Sequence, residues 1–159
     1  MSTLFILCGA PACGKSQFAS RMFDNYGMRH ISRDVIRFSL VKENEPYFSR
    51  ENEVFKIFVS QIAFYLGGNW DVIADATHLN RASRKKLLRA IDSYKVEYNI
   101  IYVYFTTPAE VCCARNANRT GRACVPEDIV KEMCNKFEKP TMEEDSRCIG
   151  VIEMKGSDC

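Results

Sequence analysis

Apolar residues fall into short continuous runs, separated by stretches in which they recur every three or four positions. Continuous runs suit strands buried on both faces, and the spaced pattern suits helices with one apolar stripe. "TLFILC", "MRHIS", "DVIADAT", "YNIIYVYF" and "RCIGVIEM" read as strands, the second of them weak. Between them "KSQFASRMFDNY", "RDVIRFSLV", "SRENEVFKIFVSQIAFYLG", "RASRKKLLRAIDSYK", "PAEVCCARN" and "PEDIVKEMCNKFE" read as helices. The longest carries Val54, Phe58, Ile62 and Tyr65 on one face, flanked by Phe55, Val59 and Leu66. Glu51 and Glu53 suit its first turn, and Gly67-Gly68 ends it. The second helix is expected to open at Asp34, and the last two to carry Pro108 and Pro126 in their first turns. Strand and helix alternate throughout. That predicts an α/β fold with a central parallel sheet of about five strands and helices on both faces.

The length of 159 residues fits one domain, residues 1–159, with one sizeable core. A formal net charge of +2 does not by itself announce a nucleic-acid or membrane surface, and it leaves room for a local basic channel. No apolar run approaches the length of a membrane span, and "MSTLFILCGA" lacks the basic start of a secretion signal. Eight cysteines, at 8, 13, 112, 113, 124, 134, 148 and 159, form no C-x-x-C pair. They read as reduced thiols of a cytoplasmic protein, not as a disulfide framework or a zinc site.

The stretch "GAPACGKS" follows the first strand and opens the first helix. Gly9 and Gly14 permit a loop whose backbone N–H groups converge on an anion, and the helix N-terminus adds its own. In this G-x-x-x-x-G-K-S arrangement Lys15 reaches nucleotide phosphates, and the Ser16 hydroxyl takes a Mg²⁺ position. "ISRDVIR" places Asp34 and Arg37 on one helix face. Asp34 reads either as a helix cap or as a working carboxylate. Asp75 ends an apolar strand, where active-site groups of parallel sheets gather; it would support the Mg²⁺ shell or hold an acceptor hydroxyl. "RNANRTGRACVP" brings Arg115, Arg119 and Arg122 close together, as a lid closing on a transferring phosphoryl group would need. Cys13 lies inside the phosphate loop. Either the loop's positive field makes it a reactive thiolate, or it is packed away and inert.

Taken with "DATHLNRASR" and "FEKPTMEE", these elements resemble, in order, P-loop kinases of the polynucleotide 5′-hydroxyl kinase type. The AAA-family, zeta-toxin-like kinases are a neighbouring branch. The likeness runs from about Leu4 to about Ile152. It implies a P-loop NTPase fold with an arginine-bearing lid at about residues 115–126. It implies ATP, or another nucleoside triphosphate, as donor, with Mg²⁺. Gly9, Ala10, Pro11, Ala12, Cys13, Gly14, Lys15, Ser16 and Gln17 would surround the nucleotide, joined by Arg119 and Arg122. Lys15, Asp34 and Arg119 would be catalytic, with Asp34 the general base. Arg37, Asp75 and Thr77 would hold the acceptor. The implied partner is a nucleic acid 5′ end. The alternative is a small-molecule or nucleotide-sugar kinase. No second catalytic module is expected in this chain.

The chain also departs from the family pattern. Ala12-Cys13 replaces the usual second glycine-rich position, His78 stands where asparagine is common, and Val35 replaces an acidic residue. Arg33, Arg37, Arg81, Arg84, Lys85 and Lys86 are candidates for a basic groove, or else for a solvated helix face.

Overall fold

The computed structural model describes residues 1–156; Cys159 lies outside the described residues. Strands β1 (Ser2–Cys8), β2 (Arg29–Ser32), β3 (Val72–Asp75), β4 (Tyr98–Phe105) and β5 (Cys148–Met154) form one sheet in the order β2-β3-β1-β4-β5. Every pairing is parallel. Helices α1 (Lys15–Tyr26), α2 (Arg33–Leu40), α3 (Glu51–Gly67), α4 (Arg81–Asp92), α5 (Ala109–Ala117) and α6 (Glu127–Asn135) connect the strands.

The two-residue period of a strand divides the core into two. Leu4, Ile6 and Cys8 of β1, with Tyr98, Ile100, Tyr102 and Tyr104 of β4, pack in one core with α3 and α4. Leu7, Val103 and Phe105 turn to the other face, where they meet Ala19 of α1, Cys112 of α5 and Val130 of α6. Continuous apolar strands are thus what a sheet covered on both faces requires.

Boundaries moved by a residue or two, for local reasons. The second helix opens at Arg33, not Asp34, because the Ser32 side chain caps it and accepts from the Val35 N–H at 3.3 Å. Pro108 and Pro126 occupy the N-cap positions, just outside the first turn. Helix α3 buries Val54, Phe58, Val59, Ile62, Ala63 and Leu66, while Tyr65 is only partly covered.

All strands being parallel, the segments after β1, β2, β3 and β4 leave from one edge. The register sets Ser32 beside Asp75 and Cys8 beside Tyr104. That edge holds the candidate site.

Candidate active site

The loop from Gly9 to Gly14 is held from three sides. Gly9 N–H donates to the Thr77 carbonyl at 2.9 Å, and Thr107 Oγ1 donates to the Cys13 carbonyl at 2.7 Å. Gly9 has no room for a side chain, since a Cβ there would sit 2.6 Å from Cys13 Sγ. Gly14 takes φ 112°, in the region that favours glycine, and Ala12 takes φ 62° without that licence. Lys15, 8% exposed, donates through Nζ to the Gly9 and Ala10 carbonyls at 2.9 and 2.8 Å.

A cavity of about 240 Å³ opens over this loop. Loop and helix residues Ala12, Gly14, Lys15, Ser16 and Gln17 line it, together with Arg115 and Arg119. Of the three lid arginines, Arg122 is placed elsewhere. Its guanidinium donates to the carbonyls of Val41 and Phe38 at the end of α2, and lies 5.0 Å from the centre of the Phe38 ring. The segment expected to form the lid is pinned by Asn116, whose side chain bonds both the N–H and the carbonyl of Val125.

Ser16 Oγ donates to Asp75 Oδ2 at 3.0 Å, and His30 Nε2 lies 2.8 Å from the same oxygen. Burial alone would push the Asp75 carboxyl up. The His30 and Ser16 hydrogen bonds and the Lys15 charge outweigh it and hold Asp75 below its ordinary value. An ionised carboxylate therefore stands against the Ser16 hydroxyl. These oxygens suit Mg²⁺, which takes one or two protein oxygens and completes its shell with phosphates and water. Among the described residues no group of three His, Cys, Asp or Glu could form a protein cage for a metal.

Asp34 sits on α2 with its side chain 60% exposed, accepting from Arg37 and from the Tyr47 hydroxyl. Arg37 is 6% exposed and almost fully engaged. Beyond Asp34 and Tyr47, it holds Glu51 through Nε and Nη2 at 3.0–3.1 Å. Glu51 also accepts from Arg33. Burial would raise the Glu51 carboxyl, but the two guanidinium groups overcome it and lower it. Glu51 is the residue that sequence reasoning missed here. The sequence shows it only as an acid in the first turn of a helix, and no local pattern connects position 51 to positions 33 and 37.

A second cavity, of about 230 Å³, lies beside Thr77 and is lined by residues of α2, α3, the β3–α4 segment and α4. Lys86 and Arg33 line it, but two other members of the expected basic groove are not available. Arg37 is buried against Glu51. Arg84 is fully buried in a paired contact with Glu144, at 2.8 and 2.7 Å, and also donates to the His78 carbonyl at 2.8 Å. Of the two readings of Cys13, the burial agrees with the packed one: the residue is 1% exposed and packs in the core with Ala19, Phe105 and Cys112.

A glycine-hinged loop on a helix N-terminus, a buried lysine beside it and arginines lining the same cavity define the class of P-loop kinases. A family model described as an AAA domain, AAA_33, matches residues 4–140, and the chain belongs to that family. The fold is shared with solved kinases of several kinds. A sugar kinase from Janibacter sp. HTCC2649 is 14% identical over 99% of this chain and 87% of its own, with a TM-score of 0.69. A fungal RNA kinase is 16% identical over 97% of this chain and 74% of its own, also at 0.69. A chain of the Pnkp1/Rnl/Hen1 RNA repair complex is 23% identical over 85% of this chain and 43% of its own, at 0.72. No helix among the described residues is long and apolar enough to cross a membrane.

Proposed function

We propose that this P-loop kinase transfers the γ-phosphate of ATP to the 5′-hydroxyl end of a nucleic acid. The observation that carries the transfer chemistry is the donor cavity, lined by Lys15 together with Arg115 and Arg119. Phosphoryl transfer asks a protein for positioning and for cations around the moving group, and this arrangement supplies both. Mg²⁺, bound at Ser16 with Asp75 behind it, would neutralise phosphate charge. The N–H groups of the loop hold the phosphates, and Lys15 swings from the Gly9 and Ala10 carbonyls to them. Arg119 closes over the transferred group. Asp34, exposed on the acceptor side, takes the proton of the attacking hydroxyl. Support for a nucleic-acid acceptor comes from the second cavity, where Arg33 and Lys86 stand beside Thr77. The likeness to the RNA repair chain points the same way.

One observation favours a second reading. Arg37, expected to grip a phosphate next to the reacting hydroxyl, already holds the Glu51 carboxylate. An acceptor without a phosphate at that position, a sugar or a nucleoside, would leave that pair undisturbed. A radiolabel-transfer screen with [γ-³²P]ATP across 5′-hydroxyl RNA, 5′-hydroxyl DNA, nucleosides and sugars separates the readings. Label on oligonucleotides supports the first. Label confined to sugars or nucleosides overturns it.

A further inference from the structure

Among the described residues only four carry a buried side-chain nitrogen or oxygen with no hydrogen-bond partner: Arg29, Arg33, His78 and Tyr102. Two of these residues, Arg33 and His78, are among those that line the second cavity, and the unpartnered atoms, Nε and Nε2, are buried in its wall. Unpartnered buried polar atoms are rare in folded proteins, and two around one cavity point to a ligand that completes them.

The chemistry of that ligand follows from the partners already made. His78 is 5% exposed, and its Nδ1 lies 2.7 Å from the Leu7 carbonyl. A carbonyl only accepts, so Nδ1 carries the proton. Burial pushes the imidazole down to about 4, so the ring is neutral at working pH and Nε2 is left as an acceptor. It requires a ligand donor: a hydroxyl or an N–H. The cations lie close by. Arg33 Cζ and Lys86 Nζ stand 5.3 and 4.8 Å from the centre of the Phe55 ring. The charged residues that line the cavity, Arg33 and Lys86, are both cations, and Arg33 shares the Glu51 carboxylate with Arg37. The volume, below the roughly 300 Å³ at which drug-sized sites begin, admits one small ring and its substituents. A hydroxyl on one side and an anion on the other describe a ribose with its backbone phosphate.

We propose that this cavity reads the terminal ribose of an RNA acceptor: His78 Nε2 accepts from the 2′-hydroxyl, and Arg33 and Lys86 hold the adjoining phosphate. The assignment rests on the nucleic-acid reading above. It gives His78, where asparagine is common in the resembling kinases, a role in specificity. An asparagine is too short to place an acceptor at the Nε2 position while also bonding the Leu7 carbonyl. The 2′-hydroxyl is the group by which a protein separates RNA from DNA.

The test uses three 5′-hydroxyl oligonucleotides of one sequence: all RNA, all DNA, and RNA with a single 2′-deoxy residue at the 5′ end. The RNA should be phosphorylated with a kcat/KM about tenfold above the DNA, the worth of one well-placed hydrogen bond. The single terminal deoxy residue should reproduce most of that loss. In His78→Asn the RNA-to-DNA ratio should fall to near one, and in Lys86→Ala the KM for RNA should rise more than kcat falls. Equal rates on RNA and DNA, or a penalty that a terminal deoxy residue does not reproduce, would overturn the ribose assignment while leaving the nucleic-acid kinase intact. A His78→Asn protein that kept the full ratio would overturn it as well. Transfer to a free sugar phosphate with none to any oligonucleotide would instead overturn the nucleic-acid reading itself.

Discussion

Replacing Arg84 with methionine should be among the most damaging single changes outside the phosphate loop. Its guanidinium is wholly out of water, and Glu144 beside it is 5% exposed in its side chain. The paired contact uses two donors, and Nη1 satisfies the His78 carbonyl. Methionine keeps most of the volume and the aliphatic stem but removes all three bonds. Glu144 is then a buried carboxylate with no cation, and the His78 carbonyl loses its donor. Breaking one side of a buried pair costs about 3–5 kcal/mol. For a chain of this size, each kcal/mol lowers Tm by about 2–4 °C, so a fall of roughly 6–20 °C is expected. Chemical denaturation followed by circular dichroism measures the loss directly. The decisive control is the double variant Arg84→Met with Glu144→Leu. With both charges gone, no ion is left buried, and much of the stability should return. A single variant within about 1 kcal/mol of wild type, or a double variant as unstable as the sum of its parts, would refute the reasoning.

Other outcomes follow from the same geometry. Lys15→Ala should fold normally and abolish transfer, as a thermal melt beside a radiolabel assay would show. Asp34→Asn should lower kcat by about 10²–10⁴-fold and leave nucleotide affinity near wild type, measured by calorimetric titration. Ala12→Gly should relieve the left-handed backbone at φ 62° and raise stability by roughly 1 kcal/mol in urea. His78, held near 4 when folded, takes up its proton more readily once unfolded. Stability is therefore fully present above pH 6.5 and should decline by roughly 3 kcal/mol as the pH falls to 4; His78→Asn should flatten that slope. In brief iodoacetamide treatment the exposed Cys124 should label well before the buried Cys13, and Mg²⁺–ATP should not change that order.

The architecture was legible because each strand is a short apolar run and each helix has its own period. The phosphate loop was legible because its chemistry is confined to eight consecutive residues. The rest depended on groups distant in sequence. Glu51 looked like a first-turn acid, and only the folded chain sets it against Arg33 and Arg37. Arg84 passed for part of a solvated basic face, although a signal was present. It stands three, four and seven positions before Leu87, Leu88 and Ile91, on the stripe that α4 buries. A cation on an apolar stripe asks for a buried partner, and Glu144 is that partner. The three lid arginines were equivalent on paper. The turn at Gly121 separates them, leaving Arg115 and Arg119 at the donor cavity and sending Arg122 to α2.

That last contact ties the two halves of the site together. The lid ends on the carbonyls that close α2, and α2 begins with the residues set aside for the acceptor. If the proposed function holds, a nucleotide that draws the lid down would pull on α2, and an acceptor that steadies α2 would steady the lid. Thermodynamic linkage makes the exchange symmetrical: by whatever factor one substrate tightens the other, it is tightened in return. Arg122 is not among the residues lining the phosphate cavity, yet on the proposed reading any cooperativity between donor and acceptor would pass through its grip.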